Sequence, residues 1–143
     1  MRYRGRVRRL PFEDDDLTLV PWAGRRALDA AGRKLSLRGW QGLSLLARQA
    51  IVGLGAEDEV DGVRVRELIE GAHPEAEAIT PPTDPPRDRP SAEVAAALGE
   101  VPEWPRLSPV ARYALHAYAS RGKHEKLRAA YASMSSGASQ SDR

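Results

Sequence analysis

Histidine, cysteine and acidic side chains are the residues that usually bind metals or transfer protons in a protein. This chain has three histidines, and no two of them are three or four positions apart: His73, His116 and His124. A zinc site needs more ligands at a defined spacing, so the histidines predict no metal site. The chain has no cysteine, which excludes thiolate ligands, disulfide bonds and a cysteine nucleophile. We therefore expect neither a metal nor a cofactor.

Two serines could act as nucleophiles with His116, but their positions favour a structural role. Ser44 and Ser108 each stand where an N-cap hydroxyl would accept a hydrogen bond from the first free N–H groups of a helix. The sequence contains no Gly-x-Ser-x-Gly motif, phosphate-binding glycine loop or dinucleotide fingerprint. No sequence motif therefore marks a catalytic site.

Acidic residues occupy four consecutive positions, 13–16. Adjacent carboxylates could bind a hard cation, but consecutive residues cannot all point at one ion, so we favour a solvated turn. A small enzyme that uses Asp14, Asp15 or His124 is kept as an alternative to a binding protein.

Basic residues form an N-terminal arm at residues 1–9. Its arginines alternate with other residues and end in an adjacent pair: Arg2, Arg4, Arg6, Arg8 and Arg9. The arm could bind nucleic acid or another anionic ligand, and this is the main alternative function. The net charge is only +2, however, and acids follow directly, so we favour a solvated tail and do not expect nucleic acid as the partner.

A twelve-residue motif that occurs twice predicts where two helices begin. Residues 40–51 and 104–115 both read Trp-x-x-Leu-Ser-x-x-Ala-Arg-x-Ala-(Ile/Leu). The serine is placed as an N-cap, and the apolar residues after it recur at helical spacing. Each copy is therefore predicted to be a capped amphipathic helix with a tryptophan anchored just before it.

The whole pattern predicts an all-α, single-domain bundle of about five or six short helices. The helical domain is predicted over residues 10–134, and a proline-rich surface linker at 71–90 interrupts it. Residues 135–143 are low in complexity and are predicted to be a disordered tail. The helices are expected at 21–31, 37–54 with a break near 43–44, 56–71, 91–98, 109–120 and from 123 onward.

Length and composition fit one globular domain without membrane spans. The chain has 143 residues, 41% hydrophobic and 29% charged, and no apolar run is long enough to cross a bilayer. The basic N-terminus is followed by no apolar segment, so we expect no secretory signal and a cytoplasmic location. Arginine far outnumbers lysine, which indicates a GC-rich bacterial genome.

Several short motifs, in order, resemble the nitrate reductase-associated protein family. Over residues 10–51 the resemblance rests on Phe12-Glu13, Leu17-Thr18-Leu19-Val20-Pro21-Trp22, Arg25, Leu28-Asp29, Gly32, Lys34-Leu35-Ser36-Leu37, Trp40 and Arg48. The second motif copy and the segment 122–125 resemble the family's C-terminal blocks. Leu19 and Trp22 stand where the family carries Cys and Met. The resemblance implies a small helical accessory protein of the molybdenum-dependent assimilatory nitrate reductase, without catalysis of its own.

A set of residues is predicted either to face the partner or to fix these motifs: Pro21, Arg25, Asp29, Lys34, Trp40, Arg48 and Arg112. The partner that the resemblance implies is a molybdopterin-dependent nitrate reductase, with no membrane involved and the oligomeric state left open. In the competing interpretation, the stems of the three arginines cover the edge of the core, and Trp40 and Trp104 are core anchors.

Overall fold

Helices make up most of the secondary structure, as the all-α prediction required. The computed structural model describes residues 10, 13 and 16–141, with side chains as far as residue 135. Within these residues there are seven α-helices, one 3-10 turn and two short strands. In chain order they are α1 (Trp22–Ala30), β1 (Arg33–Lys34), α2 (Leu37–Gln41), α3 (Leu45–Gly55), α4 (Gly62–Leu68), β2 (Glu77–Ala78), α5 (Ala92–Leu98), the 3-10 turn (Trp104–Arg106), α6 (Pro109–Ser120) and α7 (His124–Ser141).

The described residues group into two compact units. Unit 1 contains Glu13–Thr83, with helices α1 to α4 and both strands. Unit 2 contains residues 84–141 together with Leu10, and holds α5 to α7. The division falls inside the proline-rich segment predicted at 71–90. The predicted domain boundaries, the bundle and the linker role of that segment stay predictions.

The core of unit 1 forms where α1 packs against α3. Ala23 and Ala27 on α1 are fully buried, as are Ile51 and Val52 on α3. The end of α3 comes so close to α1 that a Cβ on Gly55 would lie 1.7 Å from the carbonyl oxygen of Ala23. Only glycine therefore fits at position 55, and small residues set the distance between the two helices.

The C-terminal end of α1 leads into the two-stranded sheet. Gly32 has a φ of 70°, the left-handed conformation that ends the helix. Strand β1 then pairs antiparallel with β2, with Arg33 opposite Ala78. The backbone N–H of Ile79 donates to the carbonyl of Gly32 at 2.9 Å and extends the pairing.

Helix α4 begins later than residue 56, where the sequence predicted it. Its N-cap is Asp61, whose side chain accepts from the N–H of Arg64 at 3.1 Å. The acids at 57–59 form a turn whose carbonyls bind an arginine of α1, as described below. A capping aspartate at position 61 starts the helix better than the uncapped acids before it.

Unit 2 follows the predicted helix boundaries closely. Ser91 caps α5, and Gly99 ends it with a φ of 78°. Gly122, with a φ of 70°, separates α6 from α7. Leu115 and Leu127, one from each of those helices, are fully buried. All described helices are too short or too polar to cross a lipid bilayer.

The backbone of α7 is helical to Ser141, whereas the sequence predicted a disordered tail from residue 135. The serine-rich composition suggested disorder. A helix already formed can extend through such residues, because each added residue gains one backbone hydrogen bond after the costly first turn.

Candidate protein-binding surface

The two copies of the repeated motif hold their tryptophans in the same way, one copy in each unit. Trp40 and Trp104 are both fully buried. The indole Nε1 of Trp40 donates to the carbonyl oxygen of Leu17 at 2.7 Å, and that of Trp104 donates to Pro86 at 2.8 Å. Trp40 lies in an α-helix and Trp104 in a 3-10 turn. Both are core anchors that also satisfy a backbone carbonyl.

The serines of the motif cap their helices. Ser44 Oγ accepts from the N–H of Ala47 at 3.0 Å, and Ser108 Oγ accepts from Ala111 at 3.1 Å. This geometry explains both hydroxyls without any catalytic role.

The arginines of the motif also bind backbone carbonyls. Arg48 Nη1 donates to Leu17 at 2.9 Å, and Arg112 Nη1 donates to Leu107 at 2.5 Å. Arg112 is buried, whereas Arg48 is half-buried. The burial of Arg112 supports a role in stabilising the start of α6, and its predicted contact with a partner stays a prediction.

Side chains from three helices hold the segment 17–20, which has no regular structure of its own. The carbonyl of Leu17 accepts from both Trp40 and Arg48. The carbonyl of Thr18 accepts from Gln41 Nε2 at 2.9 Å. The guanidinium of Arg25 reaches the carbonyl of Val20 at 3.5 Å. We call residues 17–20 the anchored segment.

Arg25 itself is exposed and lies over an aromatic ring. Its Cζ is 5.0 Å from the centre of the Trp22 ring, a distance that suits a cation–π contact. The N–H of Trp22 donates to Glu13 Oε2 at 2.6 Å, which places a carboxylate at the start of α1. Pro21 is the buried N-cap of the same helix.

Three exposed leucines belong to two connected parts of unit 1: Leu19 to the anchored segment, and Leu45 and Leu46 to the start of α3, whose Arg48 binds Leu17. Leu19 is 63% exposed, Leu45 54% and Leu46 78%. We call these three residues the leucine surface. At the position that corresponds to Leu46 in the second motif copy, Val110 is only 4% exposed. The same motif therefore covers an apolar side chain in unit 2 and leaves one open to solvent in unit 1.

Helices α2 and α3, which adjoin the anchored segment, carry only positive charge. Residues 30–56 contain four basic residues and no acidic one: Arg33, Lys34, Arg38 and Arg48. Arg38 is exposed on α2. An acid lies on the other side, where the carboxylate of Asp16 accepts from the N–H of Thr18 at 3.1 Å.

The structure brings some of the predicted residues to this surface and places others elsewhere. Pro21, Arg25, Trp40 and Arg48 all lie next to the anchored segment. Asp29 lies near the opposite end of α1, and Lys34 is exposed in β1. Arg112 belongs to unit 2. The seven candidates are therefore not one patch within unit 1.

Sequence reasoning missed Arg26, the best-buried charged residue of unit 1. It is 2% exposed, and its guanidinium donates to three carbonyls at the end of α3. The distances are 2.7 Å to Gly55, 2.6 Å to Glu57 and 2.8 Å to Asp58. The signal was its position four residues after Trp22, which puts it on the buried face of α1.

A serine and a histidine do pair in unit 2, although neither predicted serine is involved. Ser91 Oγ lies 2.8 Å from His116 Nδ1. Ser91 is buried and accepts from the N–H of Val94 as the cap of α5. The other ring nitrogen of His116 lies 3.4 Å from Ser120 Oγ. Among the described residues no carboxylate is hydrogen-bonded to this ring, whereas a catalytic histidine is oriented by such an acid.

A hydrogen-bonded acid also joins the 3-10 turn to α7. Tyr131 Oη donates to Glu103 Oε2 at 2.5 Å. This hydrogen bond is the main reason why the pKa of Glu103 lies below its usual value. Burial, and then the same hydrogen bond, raise the pKa of Tyr131.

The remaining features of the described residues suggest no catalytic or metal chemistry. A cavity of about 360 Å³ in unit 1 mixes both charges, with Arg33 and Arg66 facing Glu67, Glu70 and Glu75 along its lining. Within the described side chains, no three histidines or acids come together as metal ligands. His124 is exposed at the start of α7. The basic arm 1–9, Asp14 and Asp15 lie outside the described residues.

Comparison with known proteins gives one match. Residues 11–134 match the family model described as conserved nitrate reductase-associated protein. No curated protein and no solved structure matches the chain significantly.

Proposed function

The chain belongs to the conserved nitrate reductase-associated protein family, and from this premise we propose that it is a non-catalytic accessory protein of a molybdenum-dependent assimilatory nitrate reductase. It acts by binding that enzyme through the leucine surface. The observation that carries this proposal is the exposure of Leu19, Leu45 and Leu46 around a firmly held segment.

Exposed leucines on a held segment and at the start of a helix bonded to it are a physical reason to expect a protein partner. An apolar side chain in water is unfavourable, and a partner that covers it stabilises the complex. The gain in free energy is roughly 25 cal/mol per Å² of apolar area buried. The side chains that hold the anchored segment keep Leu19 in place before binding. A pre-ordered surface loses less conformational entropy when a partner docks, so it binds more tightly.

The predicted residues take different roles in this proposal. Arg25 is an exposed polar contact at the edge of the surface, and Pro21, Trp40 and Arg48 position the anchored segment. Asp29, Lys34 and Arg112 lie away from the leucine surface or are buried. We expect smaller effects on binding when Asp29 or Lys34 is changed.

The test uses the purified chain and the purified, cofactor-loaded nitrate reductase of the same organism. Leu46→Asp should weaken binding by about tenfold or more, because a charge replaces a buried apolar contact. Val63→Asp is the matched control, since Val63 is 58% exposed on α4 of the same unit. Surface plasmon resonance with the immobilised reductase measures both affinities.

Two outcomes would count against the proposal. Equal losses of affinity for Leu46→Asp and Val63→Asp would show that the leucine surface is not part of the interface. Absence of any wild-type binding, together with salt-sensitive retention on DNA that is lost when residues 1–9 are deleted, would favour the nucleic-acid alternative.

A further inference from the structure

The solvent-facing side of α3 is an uncharged stripe that runs from the leucine surface. Leu46, Ala50 and Gly53 are spaced four and three residues apart, so they share one side of the helix. Leu46 and Gly53 are exposed, and Ala50 is half-buried. The side chains of the stripe therefore decrease in size from Leu46 to Gly53.

Gly53 is not required by the packing of the described residues. A Cβ added at this position would meet none of their atoms within 4 Å. Glycine in a helix interior is unfavourable compared with alanine. An absent side chain does, however, let another helix approach closely, because the distance between packed helices depends on the side chains at the contact.

Charge distinguishes which partner segment suits this face. Arg25 and Arg48 bind the anchored segment, Arg38 is exposed on α2, and residues 30–56 contain no acid. Basic flanks favour a segment with acidic flanks, because opposite charges speed association and reject segments of the wrong charge. The nearby Asp16 is engaged with the N–H of Thr18.

The second motif copy shows what a covered version of this face looks like. Val110, which corresponds to Leu46, is buried, and Arg112, which corresponds to Arg48, is also buried. In unit 1 Arg48 is half-buried, and Leu46, at 78% exposed, remains open to a partner. The difference between two copies of one motif singles out the start of α3 as the face that lacks its cover.

We infer that the leucine surface and the stripe along α3 bind an acidic amphipathic helix of the partner enzyme. Its apolar residues recur every three or four positions and lie over Leu45, Leu46 and Gly53, while glutamates or aspartates at its edges meet Arg25 and Arg38. This inference rests on the proposed function and adds the chemistry of the segment that is bound.

The experiment uses fluorescein-labelled 20-residue peptides that tile the sequence of the partner reductase. Fluorescence anisotropy measures binding to the full chain, and circular dichroism measures helix formation in the bound peptide. We expect the bound peptides to be acidic and amphipathic, to gain helix, and to bind about tenfold more weakly to Arg38→Glu. Changing to lysine only the peptide acid that meets Arg38 should restore binding to Arg38→Glu. A scrambled peptide and Val63→Asp are the controls.

Shape is tested separately at position 53. Gly53→Leu should lower the affinity for the same peptide by about tenfold, whereas Gly53→Ala should lower it less. Position 53 is exposed and a Cβ there meets no described atom within 4 Å, so both variants should fold.

The possible failures can be told apart. If the intact reductase binds but no acidic peptide does, or if Arg38→Glu and added salt leave binding unchanged, this inference is wrong and the proposed function stands. Selection of basic peptides would also overturn it. If neither reductase nor peptide binds, the proposed function fails as well.

Discussion

Arg25 and Arg26 are neighbours in the sequence but have different roles in the structure. Arg25 is exposed over Trp22, whereas Arg26 is buried and donates to three carbonyls after α3. A buried guanidinium is stable only when its donors are satisfied, and these carbonyls satisfy them. Arg26 also places positive charge at the negative C-terminal end of α3.

Arg26→Met should lower the free energy of unfolding by roughly 3 kcal/mol, because it leaves buried carbonyls without their charged donor. Arg25→Met is the matched control and should cost less than about 1 kcal/mol, since that side chain is exposed. Urea unfolding followed by circular dichroism measures both. Equal losses would contradict the assignment of Arg26 as the structural arginine.

Tyr131→Phe tests the hydrogen bond to Glu103 through its pH dependence. The pKa of Glu103 is lowered below 4.5 in the folded protein, so this group adds stability above its unfolded pKa. That contribution is lost as the pH falls through the folded value. The difference in unfolding free energy between the wild type and Tyr131→Phe should therefore be present at neutral pH and shrink below about pH 4.5.

Glu103→Gln is the control for that measurement. It removes the titrating group, so its stability should fall less steeply in acid than that of the wild type. A difference between the wild type and Tyr131→Phe that stays constant from neutral to acid pH would contradict the role of the hydrogen bond.

At the scale of elements, substitutions at two glycines of α3, only two residues apart, are expected to have opposite effects on stability. A Cβ at Gly53 meets nothing, and one at Gly55 would overlap the carbonyl of Ala23. Gly53→Ala should raise the free energy of unfolding by about 0.5–1 kcal/mol. Gly55→Ala should lower it by about 3 kcal/mol or more. Thermal and urea unfolding measure both, and a stabilised Gly55→Ala variant would contradict the packing of α1 on α3.

The helices were largely predictable because residues close in the sequence determine where each helix begins and ends. Serine caps and positive-φ glycines, such as Ser108 and Gly122, act through neighbouring backbone groups and need no knowledge of the fold. Helix α4 was placed too early because acids normally favour a helix start. Here the carbonyls of Glu57 and Asp58 are bound by Arg26, which is distant in sequence.

At the scale of the whole molecule, Trp40 and Trp104 each report on one compact unit. Trp104→Phe removes the donor to Pro86, whereas Trp40→Phe leaves Leu17 still bound by Arg48. We expect hydrogen exchange to rise within residues 84–135 for Trp104→Phe and within residues 13–83 for Trp40→Phe. The rise should be larger for Trp104→Phe. A uniform rise along the chain for either variant would contradict this expectation.

The candidate surface was less predictable than the fold. Leu46 and Val110 occupy the same place in the repeated motif, yet one is exposed and the other buried. No local pattern distinguishes them, because exposure depends on which distant residues cover each position. Arg25, Arg48 and Trp40 were identified from motifs, but the contact that unites them, the carbonyls of residues 17–20, is invisible in the sequence.

That mode of attachment has an evolutionary consequence. Every amino acid carries a carbonyl oxygen, so the bonds to Leu17, Thr18 and Val20 do not depend on which side chains those residues bear. Thr18 and Leu19 are both exposed, so they are free to change without loosening the segment. Among relatives, Trp40 and Arg48 should vary little, while position 19 should vary more. Under the proposed function, the surface can thus change with the partner while the fold stays the same.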